Sequence, residues 1–189
     1  GTNNTGKYRE ICDLLPYKVK KHSPKEFDIL TPAETGESFK KNSLIKASYF
    51  SRKTNLICLS DDSGLEIDLL KGEPGIYSSR WSGKKNNFNF AIKKIFKKMN
   101  NTKKDWQKDN VANFVCCMTL FWPNGKSYSS TGIVKGKISA IKKGKNGFGY
   151  DPIFIPDGYN QTFGEMESKF KMTIDHRFKA FLKIRKFFI

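Results

Sequence analysis

Several short stretches of this sequence put charged or aromatic side chains where they can act on a ligand. Gly1-Thr2-Asn3-Asn4-Thr5-Gly6-Lys7 runs straight into a helical pattern. Backbone N–H groups at such a start point outward and favour anions, and Lys7 adds a full positive charge. The spacing is not the GxxxxGK[ST] of a P-loop, so that mechanism is not invoked. A plain polar helix cap is the competing reading. Asp61-Asp62-Ser63-Gly64 follows a buried-strand pattern, a position where α/β sheets often carry functional groups. Two adjacent carboxylates are not both cheaply buried, so at least one should face solvent or a cation. Oxygen ligands at such a turn suit Mg²⁺, which keeps several waters and bridges substrate phosphates. A solvated turn that caps the next element is the alternative. Glu34, in the loop Pro32-Ala33-Glu34-Thr35-Gly36, offers a more distant carboxylate.

Gly147-Phe148-Gly149-Tyr150-Asp151-Pro152 places two aromatics and a carboxylate in a glycine-rich loop. Exposed aromatics stack on nucleobases, and glycines permit close approach. Phe148 and Tyr150 as core anchors of a turn is the other reading. Asp175-His176-Arg177 precedes the last helical pattern, and His or Arg donors can read a purine O6 or N7 edge. An ordinary charged helix start would look the same.

The elements that must position these residues follow from periodicity. Tyr8, Ile11, Leu14 and Leu15 predict a first helix capped by the N-terminal loop. Residues 38–53 read as a second, with Phe39, Ala47 and Phe50 inward and Ser38 at its start. Residues 56–59 form a short buried-strand pattern, residues 60–64 an acidic turn, and Leu65, Ile67 and Leu69 a half-buried strand. Residues 72–83 read as a loop. Ile92, Ile95, Phe96 and Met99 mark an amphipathic helix. Residues 111–122 predict a long buried strand, turned by Pro123-Asn124-Gly125 into a return strand through Tyr128 and Thr131 to Ile138. A short strand at residues 153–155 and a last helix carrying Phe178, Phe181, Leu182 and Phe188 complete a mixed α/β chain without a clean linker.

Composition narrows the partners. The 189 residues, 38% hydrophobic and 14% aromatic, are too apolar for a disordered chain and suffice for one domain or two joined lobes. No run of about 18 apolar residues occurs, so no spanning helix is expected. The N-terminus has no signal-peptide pattern. Cys12, Cys58, Cys116 and Cys117 lack CxxC spacing, which reads as free thiols in a reducing cytoplasm. The formal charge of +17 suits nucleic acid or small polyanions such as nucleotides. Thirty of the 35 basic residues are lysines, spread along the chain rather than gathered in a basic tail. Solvated faces of biased composition are the preferred reading over a specific nucleic-acid surface.

The segments GTNNTGK, ETGESFKKNSLIKA, SDDSGLEIDLLKGEPGIYSSRWSG, GFGYDPIFIPDG and TFGEMESKFKMTIDHRFKA occur in one order across essentially the whole chain. In that order they resemble the inosine/xanthosine triphosphate pyrophosphatases, which clear non-standard purine nucleotides such as ITP, dITP and XTP. The resemblance implies a single domain over residues 1–189, with a two-lobed α/β fold around a long twisted mixed β-sheet. It implies a nucleotide cleft between the lobes, usually in a cytoplasmic homodimer. It matches Thr2, Asn3, Asn4, Thr5, Gly6 and Lys7 to the triphosphate loop. Asp62 matches the residue with metal and proton-acceptor roles, Ser63 a neighbouring substrate contact, and Glu34 a second metal carboxylate. Phe148, Gly149, Tyr150 and Asp151 match the base loop, and Lys171, His176 and Arg177 the remaining nucleotide contacts.

Two departures accompany the resemblance. Family members carry an apolar strand immediately before the phosphate loop, so an upstream strand is expected here. They usually carry Ser before His-Arg, where this chain has Asp175. The implied reaction is cleavage between the α and β phosphorus atoms, releasing a monophosphate and pyrophosphate. Mg²⁺ on Asp62 and Glu34 would orient a water whose proton Asp62 accepts, and Lys7, the loop amides and Lys171 would stabilise the leaving pyrophosphate. A basic nucleic-acid-binding protein, an inactive relative, or a pyrophosphatase for another modified nucleotide are the alternatives.

Overall fold

A computed structural model describes residues 1–83, 87–102 and 105–189. Helices α1 (Thr5–Leu14), α2 (Phe39–Thr54), α3 (Phe88–Asn100), α4 (Ser168–Lys171) and α5 (His176–Ile184) flank a four-stranded sheet. Its strands β1 (Cys58–Ile67), β2 (Val111–Phe121), β3 (Ser127–Ile138) and β4 (Phe154–Pro156) lie in the order β1-β2-β3-β4. The α/β class expected from periodicity is borne out. The chain forms two compact units. One comprises Gly1–Asp62, Cys116–Gly132 and His176–Ile189, the other Ser63–Val115 and Ile133–Asp175. Among the described residues, no helix is long and apolar enough to cross a membrane.

Local chemistry sets the element ends. Asn4 and Ser38 cap α1 and α2, accepting from the backbone N–H groups of Lys7 and Lys41 respectively. Each cap of this kind contributes about 1 kcal/mol. The hairpin between β2 and β3 closes where Trp122 N–H donates to Lys126 O at 2.9 Å. Gly125, at φ 87°, supplies the left-handed residue that this turn requires. β3 and β4 pair antiparallel, with Ile138 opposite Phe154.

In the first unit Ile11, Leu59, Met118, Leu120, Phe181 and Ile184 form the core. In the second, Ile92, Ile95 and Met99 of α3 pack with Leu65, Ile67, Phe114, Ile138, Phe154 and Phe163. Each fully buried Ile or Phe contributes about 1.5–3 kcal/mol. All four cysteines are free.

The structure corrects four sequence expectations. The acidic stretch 60–64 is no turn: β1 runs unbroken through it. The strand tolerates these polar side chains because each meets a partner, Ser60 Oγ donating to Gly1 O and the two aspartates facing cations. Leu56 and Ile57 precede the strand and are exposed rather than buried. Residues 72–83 include 3₁₀ turns at Gly75–Tyr77 and Arg80–Ser82. On α5 the inward series is Arg177, Ala180, Phe181 and Ile184, a spacing of i, i+3, i+4, i+7 that leaves Leu182 exposed.

Candidate active site

The first unit gathers most of the chemistry. Its N-terminal loop is pinned from several sides. Thr2 Oγ1 accepts from Asn4 N–H, and the Asn3 amide donates to Ile29 O at 3.2 Å and Thr31 Oγ1 at 3.0 Å. Asn4 Oδ1 accepts from Lys7 N–H at 3.0 Å, which opens α1 at Thr5 and Gly6. The Lys7 ammonium then reaches Asp61 Oδ2 at 3.2 Å.

Asp61 and Asp62 are neighbours on a strand, so their side chains leave on opposite faces. That alternation lets both be buried, because each face supplies cations. Asp61 Oδ2 meets Lys7 and, at 3.4 Å, Arg177 Nε, while Arg177 Nη1 also binds Glu10 Oε2. Burial alone would push the Asp61 carboxyl up, but Lys7, Arg177 and Lys46 together hold it well below the usual carboxylate range. Asp62 Oδ1 lies 3.6 Å from Lys46 Nζ. Burial raises Asp62 above its ordinary value, against the pull of Lys46 and Lys7 and with a further push from Glu34 and Asp61. A carboxylate so raised is closer to the pKa of a useful general base.

Lys46 comes from the inner face of α2 and is 4% exposed. It also binds Glu34 Oε1 at 2.5 Å. Glu34 is held in place by its loop, whose Gly36 N–H donates to Asn42 Oδ1 one turn before Lys46. Burial would lower the Lys46 ammonium, yet Asp62, Asp61 and Glu34 outweigh it and raise it above the usual lysine value.

The second unit holds the aromatic loop. Asp151 Oδ2 accepts from Phe148 N–H and from Lys171 Nζ, both at 2.8 Å, with both charged side chains buried. The Lys171 ammonium lies 5.2 Å from the centre of the Phe148 ring and 5.6 Å from that of Phe163. A Cβ on Gly147 would stand 2.0 Å from Asp151 Oδ2, and Gly147 and Gly149 both have positive φ. Tyr150 is buried, donates to Ser78 O at 2.8 Å and packs edge-on to Phe88. Tyr150 therefore anchors the loop, as the core-anchor reading has it, and Phe148 is half-buried. Ser63 is half-buried in β1, and Asp175 is buried beside α5. His176, at the start of α5 in the first unit, is buried too.

A sequence model described as the Ham1 family matches residues 1–187. The chain belongs to the Ham1 family. Its relatives include the dITP/XTP pyrophosphatase of Zymomonas mobilis, 39% identical over 97% of this chain and 87% of that protein. That of Rhodospirillum centenum is 40% identical over 97% and 90%. Among solved structures, a HAM1 protein from Coxiella burnetii superposes with a TM-score of 0.89 at 33% identity, covering 99% of this chain and 95% of its own. The Staphylococcus aureus Ham1 protein gives 0.85 at 33% identity, over 98% and 94%.

For this Ham1 family member the donor set fits a hard divalent cation. Asp62 Oδ2 is buried and finds no hydrogen-bond partner among the described residues, so it has an acceptor position to fill. Two carboxylates, Asp62 and Glu34, converge on one ammonium, and no group of three or more His, Cys, Asp or Glu forms a closed cage among the described residues. With few protein ligands, such an ion would complete its shell with water and phosphate.

No candidate role falls on Lys46 or Glu10 from the sequence, and Asp61 entered only as the neighbour of Asp62. The signal for Lys46 was present: with Phe39, Ser43, Ala47 and Phe50 it continues the inward spacing of α2, where a lysine needs a buried partner. Lys171, expected on the leaving pyrophosphate, instead carries its ammonium to Asp151 and Phe148.

Proposed function

We propose that this chain hydrolyses non-standard purine nucleoside triphosphates, ITP, dITP and XTP, to the monophosphate and pyrophosphate. The observation that carries the reading is the cluster of Lys7, Lys46, Glu34, Asp61 and Asp62 beside the capped start of α1. The names of the relatives supply the substrate class.

In this mechanism Lys7 and the N–H groups at the start of α1 bind the triphosphate and stabilise charge on the leaving pyrophosphate. Thr2, Asn3 and Asn4 hold that loop in shape. Asp62, raised above the ordinary carboxylate value by burial, accepts the proton of the attacking water. Glu34 and Asp62 would hold Mg²⁺, which would supply neutralisation of phosphate charge. Asp61 binds no substrate and orients Lys7 and Arg177. Phe148 stacks on the purine, its loop fixed by Gly149, Tyr150, Asp151 and Lys171. Ser63 contacts the substrate next to Asp62, and His176 donates to the O6 of a keto purine. A cytoplasmic homodimer is the setting this reading adopts.

The reading is tested by kcat/KM for dITP, XTP, dATP and dGTP with Mg²⁺. Strong preference for the first two supports it. Equal values for dITP and dATP would reject it. A second reading, binding of nucleic acid through the +17 charge, predicts salt-sensitive capture of oligonucleotides that free nucleotide does not displace.

A further inference from the structure

The two carboxylates assigned to the metal share a single ammonium. Three separate elements converge on it: α2 supplies Lys46, the loop before α2 supplies Glu34, and β1 supplies Asp62. Nζ stands 2.5 Å from Glu34 Oε1 and 3.6 Å from Asp62 Oδ1. This is no surface ion pair, since the Lys46 side chain is 5% exposed and the Asp62 side chain 6%. Two ionised carboxylates gathered in such a place repel one another unless a cation lies between them. Lys46 is that cation, held on Glu34 Oε1 and Asp62 Oδ1.

The charge balance makes the two cations rivals. Glu34 and Asp62 with Lys46 leave one negative charge. A divalent ion in its place brings the set to neutrality, whereas both cations together would leave it positive in a buried site. A lysine can yield, because its ammonium rides on a flexible four-carbon stem that swings without moving α2. The carboxylates come from a loop and a strand that other contacts hold, Gly36 on Asn42 and Gly1 on Leu59.

We propose that Lys46 is an exchangeable counter-ion of the metal site: it holds Glu34 and Asp62 together and must be displaced from them when the divalent cation binds. The inference rests on the reading of Glu34 and Asp62 as metal ligands. It implies that the protein binds its metal more weakly than two buried carboxylates alone would. It also implies that an anion able to draw the ammonium away strengthens metal binding, with reciprocal coupling.

The test is Mn²⁺ binding to the full, nucleotide-free chain, read from the EPR signal of free Mn²⁺. Lys46→Met should bind Mn²⁺ at least about tenfold more tightly than wild type, a conservative figure for removing a like charge in contact. Asp62→Asn should lose Mn²⁺ binding. Loss in Asp62→Asn with no gain in Lys46→Met overturns the counter-ion role and leaves the metal site standing. Retention in Asp62→Asn overturns both. Lys46→Met strips the counter-charge from buried carboxylates, so a second measurement uses the wild-type fold. In ¹⁵N-lysine-labelled protein, the ammonium resonance that disappears in Lys46→Arg belongs to Lys46. Mg²⁺ should shift it, and an unmoved resonance at saturating Mg²⁺ overturns the proposal.

Discussion

Replacing Asp61 with Asn keeps shape and removes the charge around which Lys7 and Arg177 are arranged. Asp61 is fully buried, with Lys7 Nζ at 3.2 Å and Arg177 Nε at 3.4 Å. At an effective dielectric of about 20, each such pair is worth about 5 kcal/mol before desolvation is charged against it. Removing one partner of a buried pair costs about 3–5 kcal/mol net. Lys7 is 16% exposed and can turn to water, which favours the lower end, about 3 kcal/mol. For a chain of this length that is a fall in Tm of roughly 6–12 °C. The pH dependence carries the sign. The folded Asp61 carboxyl lies below its unfolded value of about 3.9, so its contribution is complete above that value and fades as pH falls through it toward the folded one. Urea denaturation of both proteins from pH 7 to pH 3 should therefore show a gap that is constant near neutrality and narrows in acid. A gap below about 0.5 kcal/mol at pH 7, the size of a surface substitution, or one that widens on acidification, refutes the reasoning.

Other substitutions test the remaining parts. Asp62→Asn should lower kcat by at least about 10²-fold, the contribution of a general base, in steady-state pyrophosphate release; near-normal turnover removes Asp62 from that role. Gly147→Ala forces a side chain into a left-handed backbone and onto Asp151, so KM for dITP should rise and Tm fall by several degrees; unchanged values of both contradict the fixed base loop. Keto bases should be preferred over adenine by up to about 10⁴-fold in kcat/KM, because a mismatched edge leaves polar groups unpaired. Asp175→Ser should lower any activity on dGTP, because it removes the carboxylate that would accept from the 2-amino group; an unchanged dGTP rate excludes that acceptor.

Periodicity located α1, α2, α3 and α5 because their apolar residues recur on one face, and a continuous apolar run with a Pro-Asn-Gly turn located the β2–β3 hairpin. It failed where polar residues are buried in pairs. Asp61-Asp62 looked like a solvated turn because the sequence does not display that Lys7, Lys46 and Arg177 return to them from distant positions. Arg177 and Lys46 occupy inward helical positions, and a charged residue in such a series is the legible mark of a buried ion pair. Tyr150 fits two readings in the sequence, base contact and core anchor, for a related reason. A loop tyrosine reads as exposed until its hydroxyl is seen on Ser78 O and its ring on Phe88. Lys7, Asp62 and Glu34 were legible through ordered motifs, whereas the Lys46 ammonium that Asp62 and Glu34 share was not.

The central claim is cleavage between the α and β phosphorus atoms, and ³¹P NMR of the products decides it directly. With dITP and Mg²⁺ the wild-type chain should yield dIMP and pyrophosphate in equal amounts, with no dIDP at any time. Appearance of dIDP with orthophosphate as the first products would contradict the account.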